Sequence, residues 1–577
     1  MNMFNFIYHS TTKHIFLLQL TLVSLIFYLL YFDIINTVFN YAILIILLSL
    51  IYIISISRIT TKTILLHSFI LFISIRLIYF VATQFKVIPQ GDPYWDLATL
   101  NIFLMETNVK PISKPPIPVP AEILSWYSSW PLLHIVEMIS IKVSSANIYI
   151  YHMLFPFLIS SVLFIFVYLI IREISLRLKL SLKFMYFTLL LYAVSPDTIY
   201  YATITTRQSL GWLFFTIILF LLIKLLMSKN KLVLIPLFIM SVSIIYTHHW
   251  SATMLIITLI GIIVLKFVSN NNIFNNNVFI SLLLILILCT VIWWTTYGQI
   301  IWQAPFFKSI SEPFRFDVSK GLRIISYPTE LAPQWAVIVL NMRDILLYIP
   351  SVIGWYIISR KYNKDNILSL LLALFVIMIV ISFLNFVSRG GEFIRVLSLF
   401  NIIIIIMTSF VYFNLPNYIR IRLDYIFIIF VFISTVSFLG LWGHSFMLLH
   451  LYDKSIYDLS IGEHNYRISS SQINLINEKL SSEDIDRIVT DNISFVITHS
   501  KPELYNKIML LYYDVIPVKD NRSIVVSTDN LYIYKYFRGY FANVDPTERV
   551  FIKDLLNDRL KKFDRIYSDS LSVRIWY

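Results

Sequence analysis

Two aspartates four residues apart, Asp92 and Asp96, are the first candidates for chemistry. The segment 91–96 reads Gly-Asp-Pro-Tyr-Trp-Asp. An aspartate followed by proline is typical of a helix start, so the pattern predicts a helix that runs to about residue 107 with both carboxylates on one face. One such carboxylate can take a proton from a hydroxyl group, or the two together can hold a divalent cation. The structural alternative is that Asp92 only caps the helix and Asp96 faces solvent.

Three arginines are candidates for phosphate binding. Arg207 follows Thr-Ile-Thr-Thr at the expected start of a helix, where backbone N–H groups and a guanidinium together favour a phosphate. The alternative for Arg207 is a snorkelling side chain paired with Asp197. Arg389, Glu392 and Arg395 lie in one short turn with two glycines, which lets the backbone approach a phosphate or pyrophosphate closely. A local ion pair between Glu392 and Arg395 is the plainer interpretation.

Aromatic and imidazole side chains form the remaining candidates. Trp126 and Trp130 follow a proline-rich segment, 111–120, and could stack on sugar faces. The commoner role for such residues is an aromatic belt at the level of the lipid headgroups. His248 and His249 are weak candidates for a metal because adjacent residues on a helix point about 100° apart, and a hydrogen-bonding role at the membrane interface is favoured.

The composition identifies the kind of protein that must position these groups. Of 577 residues, 58% are hydrophobic and 14% charged, against about 25% charged in a typical soluble domain. The mean hydropathy is +0.75. Runs long enough to cross ~30 Å of hydrocarbon predict a polytopic membrane protein with about thirteen helices. The predicted spans are 15–32, 38–56, 64–82, 147–171, 182–201, 209–227, 231–247, 250–268, 278–297, 340–359, 366–387, 394–413 and 424–443.

The positive charges predict the orientation in the plasma membrane. With a cytoplasmic N-terminus, the short connections on the cytoplasmic side carry far more lysines and arginines than the short connections outside, as the positive-inside rule requires. Those residues are Arg58, Lys62, Arg172, Arg177, Lys179, Lys183, Lys229, Lys231, Lys266, Arg360, Lys361, Lys364, Arg420 and Arg422. The short outer connections carry only Arg207, Arg389 and Arg395.

The chain is predicted to have two domains. Residues 1–451 form the membrane domain, with long outer loops at 83–146 and 298–339. Residues 452–577 hold 17 Lys+Arg and 18 Asp+Glu and alternate short β-rich runs with polar helix patterns, which predicts a small extracytoplasmic α/β domain. The net charge of +13 therefore comes from the membrane part, where loop topology and anionic lipids explain it, and nucleic acid is not an expected partner. The single cysteine, Cys289, excludes an intrachain disulfide.

Several signatures are absent from the sequence. It contains no phosphate-binding glycine-rich loop, no His-Glu-x-x-His motif and no serine-nucleophile elbow. A cytoplasmic nucleotide-driven pump is therefore disfavoured. A transporter is also disfavoured, because the ionisable residues gather at the outer ends of the spans and the helix centres are nearly free of them.

This combination resembles the GT-C superfamily of membrane glycosyltransferases, in particular its archaeal members. The residues that carry the resemblance are the acidic motif 91–96 in the first large outer loop and the outer-face arginines, together with the many spans and the outer C-terminal domain. The resemblance implies a sugar donor carried on a polyprenyl or dolichyl phosphate, with the first-loop acid, matching Asp92, as catalytic base or metal ligand. A distant likeness to the oligosaccharyltransferase catalytic subunit is opposed by the lack of a Trp-Trp-Asp motif at the start of the tail.

The expected function is transfer of a sugar from a polyprenyl-phosphate donor to a lipid- or protein-linked glycan on the extracytoplasmic face. Asp92 and Asp96 are the expected catalytic residues. Arg207, Arg389, Glu392, Arg395, Trp126 and Trp130 are expected to bind substrate. The expected cofactor is a divalent cation, Mg²⁺ or Mn²⁺, or none. The alternatives are oligosaccharyl transfer to asparagine, and a non-enzymatic translocator of lipid-linked sugars or surface assembly protein.

Overall fold

The structure is a computed structural model of the chain. It describes residues 12–31, 61–82, 91–106, 109, 126–195, 205–228, 231–269, 276–299, 334–361, 366–389 and 392–414, and the five short strands of the tail. Toward the ends of several helices only the backbone is described, and this applies to the side chains of Asp92, Arg389, Glu392 and Arg395.

The described ranges before residue 415 consist of helices and the short connections between them. The first five helices are α1 Thr12–Tyr31, α2 Thr61–Ala82, α3 Gly91–Glu106, α4 Leu132–Ser144 and α5 Ile148–Arg177. The next five are α6 Leu182–Val194, α7 Arg207–Ser228, α8 Leu234–Thr247, α9 His249–Ser269 and α10 Asn276–Thr296. The last four are α11 Gln334–Lys361, α12 Asn366–Arg389, α13 Glu392–Leu399 and α14 Asn401–Asn414.

Most of the predicted spans coincide with these helices. Two of the thirteen, 38–56 and 424–443, lie outside the described residues. Within the described ranges, three helices are long and apolar enough to cross a membrane on their own length and composition: Ile150–Arg177, Arg207–Met227 and Phe279–Thr296. Eight further apolar helices are shorter there. The predicted span 394–413 is broken, because α13 ends at Leu399 and α14 begins at Asn401.

The chain divides into two compact units. Met1–Ala82 and Leu154–Ser445 make up one, which we call the helical unit. Thr83–Met153 and Phe446–Tyr577 make up the other, which we call the loop–tail unit. The first long outer loop of the sequence, with its acidic motif, therefore belongs to the same unit as the C-terminal tail.

In the helical unit, a proline and a glycine of α11 allow this helix to pack closely against α14. Pro350 lies inside the helix and has no N–H to donate to the carbonyl of Leu346, one turn earlier. The hydroxyl of Tyr412 in α14 donates to that carbonyl instead. A Cβ at Gly354 would lie 2.0 Å from the carbonyl oxygen of Met407, so only glycine lets the two backbones approach this closely.

The described part of the tail is a five-stranded mixed sheet. The strands are β1 Arg487–Thr490, β2 Ile508–Leu510, β3 Ser523–Thr528, β4 Arg565–Ser568 and β5 Val573–Trp576. Their order is β2-β1-β3-β5-β4, with β2, β1 and β3 parallel and β3, β5 and β4 antiparallel. Parallel neighbours require crossover connections, as an α/β domain has. The helices predicted for this domain lie outside the described residues.

Candidate active site

The acidic motif opens helix α3, as the Asp-Pro pair predicts. The helix begins at Gly91 and ends at Glu106, so Asp92 and Asp96 are one turn apart. Asp96, Leu100 and Phe103 are buried and spaced as one face of a helix. The side chain of Asp92 is outside the described part. The interpretation of Asp96 as a solvent-facing residue is wrong, because its side chain is 1% exposed.

His134 of α4 is the partner of Asp96. The His134 Nε2 atom lies 3.1 Å from Asp96 Oδ1, and both side chains are buried. The edge of the imidazole also meets the ring of Phe103 at 90°, with the centroids 5.6 Å apart. His134 thus contacts α3 at two positions two turns apart, one polar and one aromatic.

A second buried pair lies one turn further along α4. His152 Nδ1 is 2.8 Å from Glu137 Oε1, and neither side chain is exposed. A tight connection between α4 and α5 makes this contact possible. Helix α4 ends at Ser144 and is followed by Ser145, which has a left-handed φ of 54°. The Asn147 side chain then accepts from the backbone N–H of Ile150 in the first turn of α5. Carboxylates buried this deeply are stable only when paired. The pairs therefore attach α4 to α3 on one side and to the first turns of α5 on the other.

The two tryptophans pack against each other. The Trp126 and Trp130 rings are 5.0 Å apart at 60°. Trp130 is completely buried, while Trp126 is partly exposed. Of these two rings, only that of Trp126 is accessible from outside, and Trp130 packs against it.

Arg207 is the first residue of α7, as the sequence predicts. Its side chain is 7% exposed and is preceded by buried Thr205 and Thr206. The Thr206 hydroxyl oxygen accepts from the backbone N–H of Ser209 at 3.2 Å, which satisfies one of the free donors of the first turn. A buried guanidinium at the positive end of a 22-residue helix can bind an anion. Asp197, the alternative partner of Arg207, lies outside the described residues.

The histidine pair occupies a junction between two helices. His248 has extended backbone, with φ −162° and ψ 121°, between the last residue of α8 and the first of α9. The expectation that the His248 and His249 rings diverge assumed one continuous helix and is wrong, since their centroids are 4.8 Å apart. The Nδ1 atom of His248 lies 3.2 Å from the Ser251 hydroxyl oxygen. Within the described ranges, no group of three or more His, Cys, Asp or Glu side chains is arranged to hold a metal ion.

The Arg-Gly-Gly-Glu segment is placed by its backbone alone. Helix α12 ends at Arg389 and α13 begins at Glu392, so two helices do meet near the predicted turn, but Glu392 and Arg395 lie in α13 and not in a turn. Arg395 lies one turn into α13. What the side chains of Arg389, Glu392 and Arg395 contact lies outside the described part of the chain.

Sequence reasoning missed a buried arginine in α2. Arg76 is fully buried, and its Nη1 atom donates to the carbonyls of Phe72 at 2.9 Å and of Ala193 in α6 at 3.0 Å. Its guanidinium lies 3.4 Å from the centroid of the Phe72 ring. The signal was present as a lone cation within an apolar run, a position where ionisable residues are rare and paired. Here Arg76 binds the carboxyl end of α6 to α2.

Comparison with known structures supports the expected fold. The chain resembles ArnT from Cupriavidus metallidurans in the apo state, with a TM-score of 0.52, 9% identity, and coverage of 88% of this chain and 97% of ArnT. It resembles the structure of the same protein bound to undecaprenyl phosphate with a TM-score of 0.50 and 8% identity, over the same shares of the two chains. The fold is ArnT-like. At this identity the likeness concerns the fold alone.

This likeness agrees with the expected helical membrane architecture. The ArnT-like fold and the apolar helices together indicate a membrane protein. No family model matches the chain, and no curated protein matches it. The likenesses to archaeal members and to the oligosaccharyltransferase subunit stay predictions.

Proposed function

We propose that the protein is a membrane glycosyltransferase that takes a sugar from a polyprenyl-phosphate-linked donor. The observation that carries the proposal is the ArnT-like fold, which extends over 88% of the chain. ArnT has been crystallised with undecaprenyl phosphate, which supports a lipid phosphate of this kind as the partner here. The acceptor we propose is a lipid- or protein-linked glycan on the extracytoplasmic face.

The proposed reaction is a single displacement at the anomeric carbon. The acceptor O–H bond breaks, its oxygen forms a bond to C1 of the sugar, and the bond from C1 to the phosphate oxygen breaks. The proton goes to the Asp92 carboxylate, and the lipid phosphate leaves with the electron pair. One displacement inverts the configuration at C1.

Arg207, Arg389 and Arg395 are the proposed partners of the phosphate. A guanidinium can donate two parallel hydrogen bonds to phosphate oxygens, and fixed donors stabilise the negative charge that grows as the phosphate leaves. Burial of Arg207 at a helix start strengthens such an interaction because water screens it less. We also propose Trp126 as a sugar-contacting ring and Glu392 as the residue that orients one of these arginines.

A deletion strain tests the proposal. It is complemented with the wild type or with Asp92→Asn, and its surface glycoprotein glycans and lipid-linked glycans are analysed by mass spectrometry. We expect the wild type alone to restore a missing sugar, while both proteins reach the same level in the membrane, because an amide still caps a helix.

Other outcomes would identify a different role. Accumulation of a full-length lipid-linked glycan in the deletion strain would indicate oligosaccharyl transfer. Unchanged glycans would favour the translocator or assembly role. Equal restoration by both proteins would remove Asp92 from the mechanism.

A further inference from the structure

Two buried carboxylate–imidazole pairs connect α4 to its neighbours, and each pair connects it to a different helix. Asp96 and His134 join α4 to α3, the helix that carries Asp92 in its first turn. Glu137 and His152 join α4 to α5 and involve no residue of α3. His134 and Glu137 are three residues apart, so they lie on neighbouring turns of one helix.

The chemistry of the two paired atoms determines which group donates in the hydrogen bond between Asp96 and His134. An ionised carboxylate only accepts, so when Asp96 is ionised His134 Nε2 carries the hydrogen and donates it to Asp96 Oδ1. His134 Nδ1 has no hydrogen-bond partner within the part of the chain that the structure describes. The bond to Asp96 is therefore the polar contact that fixes the imidazole there, and the perpendicular contact with the Phe103 ring fixes its tilt.

The burial of Asp96 argues against direct contact with substrate. Its side chain is 1% exposed, and the described residues around it form no metal cluster. Asp92 precedes it by four residues, about 6 Å along the helix axis. A bond that fixes Asp96 therefore also fixes the backbone of the turn that carries Asp92.

We infer that Asp96 and His134 are a positioning pair, which locks the first turns of α3 against α4 and so sets the place of Asp92. The inference rests on the proposed function, since it gives Asp92 a reaction to serve. Under this inference Asp96 positions the helix that carries Asp92 and does not bind a cation. His134, which sequence reasoning overlooked, becomes the residue on which the alignment of Asp92 depends.

Variants that keep or remove the single hydrogen bond test the pair. Asp96→Asn keeps an acceptor oxygen at the same place, and His134→Gln places an amide N–H close to the position of Nε2. Asp96→Leu and His134→Leu remove the bond. His152→Leu is the matched control, since it breaks the equally buried pair that joins α4 to α5 through Glu137.

The first measurement is hydrogen–deuterium exchange by mass spectrometry on the full-length protein in nanodiscs. It requires no substrate. In Asp96→Leu and in His134→Leu, we expect the amides of residues 91–100 to exchange at least about tenfold faster than in the wild type, because local opening of the helix becomes easier. Asp96→Asn, His134→Gln and His152→Leu should remain near the wild type in this segment. Equal protection in His134→Leu and the wild type would overturn the inference.

The second measurement is the rate of sugar transfer with a lipid extract of the deletion strain as the source of donor and acceptor. A misplacement of about 1 Å can cost about 100-fold in rate, so we expect a loss of that order at saturating lipid in His134→Leu. Asp96→Asn and His134→Gln should retain most of the rate, and binding of undecaprenyl phosphate should be the same in all variants. An equal loss in His152→Leu, or loss of activity in Asp96→Asn, would overturn the inference.

The two measurements separate this inference from the proposed function. If the wild type transfers no sugar, the proposed function fails, and exchange still decides whether the pair fixes α3. If the wild type transfers and Asp92→Asn does not, the function stands whatever the behaviour of His134.

Discussion

At the scale of single residues, Arg207 shows how one position can combine two sources of positive charge. The helix dipole of α7 and the guanidinium both lie at the start of the helix, and the side chain is buried. An anion at this position interacts favourably with both sources of charge. The lipid phosphate of the proposed donor is such an anion.

Replacement of Arg207 by Gln should weaken binding of undecaprenyl phosphate by about tenfold or more, since a hydrogen bond to a charged group contributes about 1.5–3 kcal/mol. Lysine should restore part of the affinity because it keeps the charge without the bidentate geometry. Binding is measured by native mass spectrometry of the purified protein. Arg172→Gln, an exposed arginine on α5, is the control and should bind as the wild type does. Wild-type affinity in Arg207→Gln would exclude a phosphate contact at this residue.

At the scale of helices, stability depends on backbone groups that one helix satisfies for another. Tyr412 donates to the carbonyl that Pro350 leaves without an N–H, and the Thr408 hydroxyl donates to the next carbonyl, that of Leu347, at 2.8 Å. Gly354, one turn after Pro350, allows the backbones of α11 and α14 to approach closely enough for both bonds. Helix α14 therefore completes the hydrogen bonding of α11.

Tyr412→Phe should destabilise the protein by about 1 kcal/mol, since it leaves a buried carbonyl without a donor. Gly354→Ala should cost more, because the two backbones must separate to admit the new methyl group. Thermal unfolding in detergent, followed by tryptophan fluorescence, measures both. Tyr356→Phe is the matched control in α11, since its side chain is exposed, and it should unfold at the wild-type temperature. Equal unfolding temperatures for the two tyrosine variants would show that the Tyr412 bond contributes nothing.

Some of these elements could be predicted from the sequence and others could not, for physical reasons. Helix α3 was predictable because Asp92 and Pro93 are local signals of a helix start. The break at Phe400 was not, since two isolated polar residues beside it, Ser398 and Asn401, are not by themselves a signal that an apolar helix ends. There the Asn401 side chain donates to the Ser195 hydroxyl oxygen at 2.9 Å, a contact across 206 residues of sequence.

The candidate site divides in the same way. The positions of Asp96 and Arg207 at or near helix starts followed from local sequence. The burial of Asp96 did not, because it depends on His134, which is 38 residues away across a proline-rich segment. Arg76 escaped notice because hydropathy averaged over a span conceals one charge among many apolar residues.

At the scale of the whole molecule, the remaining prediction concerns orientation. The positive-inside rule places the connection between α5 and α6 in the cytoplasm and the end of α4 outside. Lys183 and Lys142 are exposed residues at these two places. Since Cys289 is the only cysteine, its replacement by serine gives a background without thiols.

A single cysteine at Lys142 in that background should react with a membrane-impermeant maleimide in intact cells. A cysteine at Lys183 should react only after the cells are permeabilised. Labelling is read as a mass shift on a gel, and the cysteine-free background is the control. The reverse pattern would invert the topology and place the acidic motif in the cytoplasm, where it could not serve an outer-face reaction.

The bond between Tyr412 and Leu346 also has a consequence for biosynthesis. Helix α11 is made some 60 residues before Tyr412 leaves the ribosome. During that interval the carbonyl of Leu346 has neither its own helix nor α14 to donate to it, and hydrocarbon supplies no donor. Release of α11 into lipid is therefore most favourable once α14 has been made. In this way the position of Pro350 favours one order of helix insertion over another.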